Sequence, residues 1–419
     1  MKKPELLSPV QDYTSLHAAI DNGADAVYFG IKGFNMRANA KNFTSADLPK
    51  ITRIAHAKNV KTYLALNTII YEHELKKVES ILEKAKKANI DAIICWDMSV
   101  IHMAKQFGLE VHLSTQASVS NSNAVEFYKE QGVSRIVLAR ECTLDDIRKI
   151  KKKTTVQLEV FVHGAMCVSV SGRCFMSQFS TCKSANRGEC LQPCRRNYII
   201  RDVENEFEYE VGPNYVLSPK DLCTLPFLEK LMLADIDCFK IEGRNKSPEY
   251  VTDVTAAYRT MIDFVYTNRL KQKSVLFKKE LTETKKTLMK KLQRVYNRGF
   301  SNGFFLRYPM SEWTKNDGNV ATERKIFLGK IVHYYAKINV VEFKIETKQK
   351  LRIGDEIFIQ GQSTGTVRLT INSMEINHKK VLQAIQGDYI AIKVDIRARK
   401  NDSAYIIKKK NTLPTSYTK

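Results

Sequence analysis

The chain has 419 residues, 43% of them hydrophobic and 27% charged, with 67 Lys and Arg against 45 Asp and Glu and a net charge of +22. That composition supplies core for two or three domains and excludes wholesale disorder. No apolar run reaches the roughly 18 residues of a membrane helix, and Met1-Lys2-Lys3 leads into Pro4-Glu5 rather than a signal-like apolar stretch, so the expectation is a cytoplasmic protein without a membrane partner.

In chain order, β-rich runs at 5–10, 26–30, 61–68, 92–97, 110–116, 135–140, 157–163 and 238–243 alternate with amphipathic stretches. Leu16, Ile20 and Ala24 follow the first run at helical spacing, Ile51, Ile54 and Ala55 the second, and Val78, Ile81, Leu82 and Ala85 the third. Eight strands with crossover helices predict an α/β fold, a (β/α)8 TIM-like barrel over residues 1–268. A doubly wound open sheet would carry a Gly-rich phosphate loop after its first strand, where this chain has Ser8-Pro9-Val10-Gln11-Asp12. Barrel sites form at the carboxyl ends of strands, which nominates Asn67, Asp97, Ser114, Gln116, Arg140, His163, Glu242 and Arg244; caps and loop anchors are the bland reading of the same residues.

Between the seventh and eighth runs lies an insertion, 164–237, with six of the nine cysteines, too long for an ordinary barrel loop. A helix from Pro248 precedes a basic helical connector, 269–324. Residues 269–298 hold 11 basic and 2 acidic residues, and Leu281, Leu288, Leu292 and Val295 form one apolar stripe that leaves the lysines outward. Such a face suits phosphates, or is simply solvated. From 325 to 411 the pattern is pure strand, with turn signals at Gly354-Asp355, Gly361-Gln362 and Gly387-Asp388, which predicts a small C-terminal all-β barrel; 412–419 reads as a disordered tail.

The cysteines run Cys167-x6-Cys174-x7-Cys182-x7-Cys190-x3-Cys194, with Cys223 beyond. An odd count in a reducing compartment argues against a disulfide framework, and no pair has the CxxC spacing of a zinc ribbon or bacterial ferredoxin. An iron–sulfur cluster, a structural zinc and buried packing thiols all stay open, as does a Cys167 nucleophile served by His163.

Further residues carry a resemblance. Glu159-Val-Phe-Val-His163-Gly164-Ala-Met-Cys167, Ser171-Gly172-Arg173-Cys174-Phe-Met-Ser177 and Asn186-Arg187-Gly188-Glu189-Cys190-Leu-Gln192-Pro193-Cys194-Arg195 resemble the signature of peptidase family U32. Gly23-Ala-Asp25-Ala-Val-Tyr28, Ser114-Thr115-Gln116, Ser218-Pro-Lys220-Asp221-Leu-Cys223 and Phe239-Lys240-Ile-Glu242-Gly243-Arg244-Asn-Lys-Ser247-Pro248-Glu249-Tyr250 extend it over the whole N-terminal barrel. The family name implies protease or collagenase activity, whereas the subgroup most similar here, the tRNA hydroxylation proteins, implies oxygen-independent conversion of wobble uridine to 5-hydroxyuridine with prephenate as oxygen donor. Relatives acting on ribosomal RNA or in anaerobic ubiquinone synthesis are hydroxylases too, the latter with four-cysteine clusters.

The resemblance implies a 4Fe-4S cluster on Cys167, Cys174, Cys190 and Cys223, with Cys194 the rival for the fourth place. It also implies tRNA and a subunit of the same family as partners. Prephenate has two carboxylates, so its pocket should hold arginines; Arg37, Arg140 and Arg173, with Asn67 and Gln116, are the expected binding residues. Glu159, His163, Glu242 and Arg244 are the expected catalytic set, acting on protons, although Glu242 and Arg244 equally suit a structural ion pair. No HExxH, GxSxG or Ser/His/Asp pattern supports proteolysis. Two alternatives stand beside the hydroxylase, a U32 peptidase and a noncatalytic RNA-binding module with structural zinc.

Overall fold

The computed structural model describes residues 1–410 other than 197, 205–207, 212–216, 272, 316–317 and 396; the expected tail lies outside the described residues. Eight parallel strands close into a barrel: β1 (Glu5–Pro9), β2 (Ala26–Gly30), β3 (Lys61–Ala65), β4 (Ala92–Cys95), β5 (Val111–Leu113), β6 (Arg135–Val137), β7 (Gln157–Gly164) and β8 (Cys238–Ile241). Closure is made at β8, where Cys238 pairs with Glu5 on one side and Glu159 on the other. Each strand follows the same logic. Residues facing out, such as Leu6, Val27, Leu64 and Ile93, join Leu16, Ile51, Leu82 and Ile101 of the surrounding helices in one continuous core. Residues facing in alternate small and large, with Ala26, Ala65 and Ala92 making room for Tyr28, Tyr63 and Ile94. The TIM-like expectation holds.

The floor of the barrel is polar. Arg135 donates to Glu5 Oε1 at 2.6 Å, Tyr63 donates to Glu5 at 3.0 Å, and Lys240 donates to Glu159 Oε1 at 2.7 Å. Cross-paired charges of this kind keep buried ionic groups satisfied where an unpaired one would be costly.

β7 ends at Gly164, in the left-handed region with φ +108°, where a Cβ would press on the Glu242 carbonyl. Beyond it the insertion crosses the open end of the barrel and returns as a short strand, Asp221–Cys223, antiparallel to the end of β7. Among the contacts that hold it over the mouth are those of Arg187 and Gly188. Arg187 forms a two-pronged pair with Glu74, and Gly188 accepts the Ala38 N–H at 3.0 Å so closely that a Cβ there would overlap the Asn35 carbonyl. The strand Phe300–Ser301 then pairs with Asp221–Cys223, drawing residues 300–314 onto the insertion.

Helix Pro248–Thr267 buries Tyr250, Val254, Tyr258 and Met261 against the barrel, and helix Val275–Arg294 packs by Phe277, Leu281, Leu288 and Leu292, the expected stripe. The C-terminal residues form an eight-stranded antiparallel sheet with its own core around Leu328, Val341, Phe343, Ile357 and Ile392. The strand Ser403–Lys409, which the sequence reading did not mark, lies at its centre between Glu323–Tyr335 and Glu356–Gly361. This sheet rests on the flank of the barrel, where Thr366 meets Thr252 at 2.7 Å and Lys325 meets Glu249 at 2.7 Å.

Candidate active site

The strand ends converge on a cavity of about 60 Å³ at the mouth. Lys240 and Glu242 sit two apart on the β8 run and therefore share its inward face. The Glu242 carboxylate accepts from Arg37 at 3.1 Å and lies 3.5 Å from Arg140. Arg140 also donates to the Ala165 carbonyl at 2.6 Å and stacks over Phe161 at 4.1 Å, while Arg244 donates to Asn35 Oδ1 at 3.1 Å. Burial alone would raise the Glu242 carboxyl, but Arg37, Arg140 and Arg244 outweigh it and hold the group below the usual carboxylate range. Burial, with Arg37 adding to it, pushes Arg244 down to about 10. Lys240 is balanced by Glu159, so three arginines face one carboxylate, and the mouth carries positive charge ready for an anion. Asn67 and Gln116 line the same cavity, joined through Ser114.

Beside the mouth, Cys167, Cys174, Cys190 and Cys194 line a second cavity, of about 130 Å³, enclosed by the insertion. The sulfurs of Cys174 and Cys190 accept backbone N–H groups from Met176 and Gln192 at 3.4 and 3.3 Å. Arg37, Arg195, Lys246 and Arg298 line the same space. Burial raises the thiols of Cys190 and Cys194, and their mutual proximity with Cys167 and Cys174 raises them further. Four soft donors ringed by four cations fit a net-negative iron–sulfur cluster. Among the described residues no group of three or more His, Cys, Asp or Glu is placed to hold a single metal ion.

The structure separates the remaining expected residues from this assembly. Cys223 does not join the other three expected ligands. It is 1% exposed in the apolar core, against Met289 and Tyr258, and burial pushes its thiol up to about 12. Cys194 stands in the cavity instead. His163 points out of the barrel, with Nδ1 3.3 Å from the Tyr258 hydroxyl and its ring among Tyr250, Tyr258 and Phe300. Burial, then Lys246, lowers it to about 3. It lines none of the cavities that Cys167 lines, so the nucleophilic reading of Cys167 loses its base. Glu159 is fully buried below the mouth, held by Lys240 and Arg135. Arg173 is exposed on the rim, 3.2 Å from Ser118 and over Trp96.

Tyr28, Ser171 and Lys240 are mouth residues that the sequence reading did not single out. The period of two from Glu242 marks Lys240, and Ser171 opens the Ser171-Gly172-Arg173-Cys174 block of the family resemblance.

The family model described as Peptidase family U32 matches residues 11–315. The chain belongs to peptidase family U32. Among U32 relatives, one from Methanocaldococcus jannaschii described as an uncharacterized protease is 43% identical, over 96% of this chain and 98% of its own. A collagenase of Porphyromonas gingivalis is 40% identical over 96% of this chain and 97% of its own. The tRNA hydroxylation protein P1 of Bacillus subtilis is 33% identical over 89% and 87%. Relatives of this U32 chain thus carry names from both protease and RNA-hydroxylation chemistry.

Proposed function

We propose that this U32 chain is an RNA hydroxylase that converts tRNA wobble uridine to 5-hydroxyuridine without molecular oxygen, taking the oxygen from prephenate beside a four-iron cluster on Cys167, Cys174, Cys190 and Cys194. One observation carries the proposal: Cys167 borders both the arginine-lined mouth and the thiol-lined cavity. An anionic donor in the mouth therefore lies next to the redox centre. When bound, the cluster would supply electrons or Lewis acidity to the donor.

The chain's own groups do the rest. Arg37, Arg140 and Arg244 bind and orient carboxylates, with guanidinium forks suited to two-pronged contacts. Glu242 fixes the directions of Arg37 and Arg140 before the donor arrives. Lys240, paired with Glu159 beneath it, stands at the cavity floor. The insertion, pinned through Arg187 and Gly188, restricts water at the mouth. The Bacillus subtilis relative's name supports a tRNA substrate, and the outward lysines of helix Val275–Arg294 suit its phosphates.

Protein prepared without oxygen should contain iron and acid-labile sulfide, and tRNA digests from a strain lacking the gene should lose 5-hydroxyuridine. Unchanged digests would remove tRNA as the substrate, and protein free of iron and sulfide would remove the cluster. The collagenase name of the Porphyromonas relative motivates one control: pure protein should leave denatured collagen intact.

A further inference from the structure

A third cavity, of about 260 Å³, opens beside Arg140 and Cys167 between the insertion and the segment that follows helix Val275–Arg294. Phe304, Trp313 and Met166 make its apolar walls. The segment is anchored there by a bridge between Pro219 and Trp313 and by Lys220 bonded to Glu312 at 2.9 Å.

Glu141, Ser169 and Ser171 line this cavity, and among the described residues Glu141 Oε2, Ser169 Oγ and Ser171 Oγ are buried beside it without a hydrogen-bond partner. Ser171 is only 2% exposed. Its backbone N–H is bonded to the other Glu141 oxygen at 3.3 Å, which sets the two residues side by side. Unmet buried groups of this kind are costly, and three beside one cavity mark a place for a polar ligand.

We infer that this cavity receives the pyrimidine base of an RNA nucleotide turned out of its stack. The inference rests on the RNA-hydroxylase reading and adds the place where the target base sits. Phe304 and Trp313 give the cavity aromatic surface on which a flat ring can stack, as in sites for flipped bases. The edge groups match as well. Uracil offers acceptor, N–H donor and acceptor along its pairing edge; a carboxylate oxygen takes the N–H, and two hydroxyls donate to the flanking carbonyls. The cavity also meets the arginine-lined mouth at Arg140, Cys167 and Ser171, which brings a bound base up to the donor. Exposed Arg307 and Lys315 on the same segment are placed for the flanking phosphates.

The chain has two tryptophans, Trp96 and Trp313, so intrinsic emission reports on the cavity. Full-length protein is titrated with an RNA hairpin bearing one loop uridine, with the same hairpin abasic at that position, and with gelatin, while fluorescence anisotropy of end-labelled RNA measures binding. The uridine hairpin should quench emission, the abasic one should not, and Trp313→Phe should abolish the quench while retaining binding. Phe304→Ala should weaken the uridine hairpin about 5- to 150-fold, the range for removing one base–aromatic stack, and leave the abasic hairpin unaffected. Glu141→Gln, which preserves shape, should narrow the preference for uridine over the abasic site. Equal binding of both hairpins with unchanged emission would overturn the base pocket and leave the RNA reading intact. Absence of binding to either hairpin would overturn both. Quenching by gelatin and not by RNA would assign the cavity to a peptide.

Discussion

Cys194 and Cys223 have the same side chain and opposite surroundings. Cys194 faces the cavity shared with Cys167, Cys174 and Cys190, whereas Cys223 is sealed between Tyr258 and Met289. Cys194→Ser should therefore strip most of the iron from anaerobically prepared protein. Cys223→Ser should keep the iron and lose about 1–3 kcal/mol of stability, because a hydroxyl replaces a thiol in an apolar site. Iron per chain with urea unfolding distinguishes the two, and iron loss confined to Cys223→Ser would restore Cys223 as the fourth ligand. His163 gives a second prediction at this scale. Its folded pKa of about 3 lies below the ordinary 6.5, so between those values the unfolded chain binds the extra proton. Stability is then complete above pH 6.5 and declines as pH falls, by about 1.4 kcal/mol per unit from this group. His163→Phe should flatten the dependence of unfolding free energy on pH between 6.5 and 5; an unchanged slope would show that His163 does not titrate as buried.

Among elements, the insertion has one backbone contact that tolerates no side chain. Gly188 has φ +85° and lies against the Asn35 carbonyl and the Ala38 nitrogen, so Gly188→Ala meets both backbone strain and overlap. A cost of about 1–3 kcal/mol is expected, felt first as the insertion lifting from the mouth. Limited proteolysis should cut within 164–237 sooner than in the parent protein, and iron content should fall with it; equal protection would mean that the loop from 35 to 38 yields instead. The barrel strands were legible because each is a compact β-rich run followed by a helical period. Their polar ends were legible only as a set of candidates, since Ser114 and Gln116, read as the end of a strand, belong to the turn after β5 that bends toward the mouth. Cys194 could not be preferred over Cys223 from spacing, because the choice depends on the return strand Asp221–Cys223 pairing with β7. The central strand Ser403–Lys409 was hidden by its lysines, which leave only Ala404, Ile406 and their neighbours as apolar signal.

For the whole molecule, the charge excess has a location. In helix Val275–Arg294 and the turn before it, Lys285, Lys291 and Arg294 are taken up by Glu229, Asp253 and Glu323, while Lys271, Lys273, Lys278, Lys279, Lys286 and Lys290 are exposed. The helix leads through residues 295–299 into the 300–314 segment that lines the aromatic cavity. Charge of this kind binds phosphates by releasing counterions and leaves the chemistry at the mouth untouched. Replacing Lys278, Lys279, Lys286 and Lys290 by Ala should weaken tRNA binding at moderate salt and flatten the plot of log affinity against log salt by about 0.7–0.9 for each phosphate that is no longer neutralised. Iron content should not change, because none of the four lines the thiol cavity. If affinity falls with an unaltered salt slope, these lysines stabilise the helix without touching RNA; if neither changes, the nucleic acid approaches by another face, with the exposed Arg307 and Lys315 the next basic residues to replace.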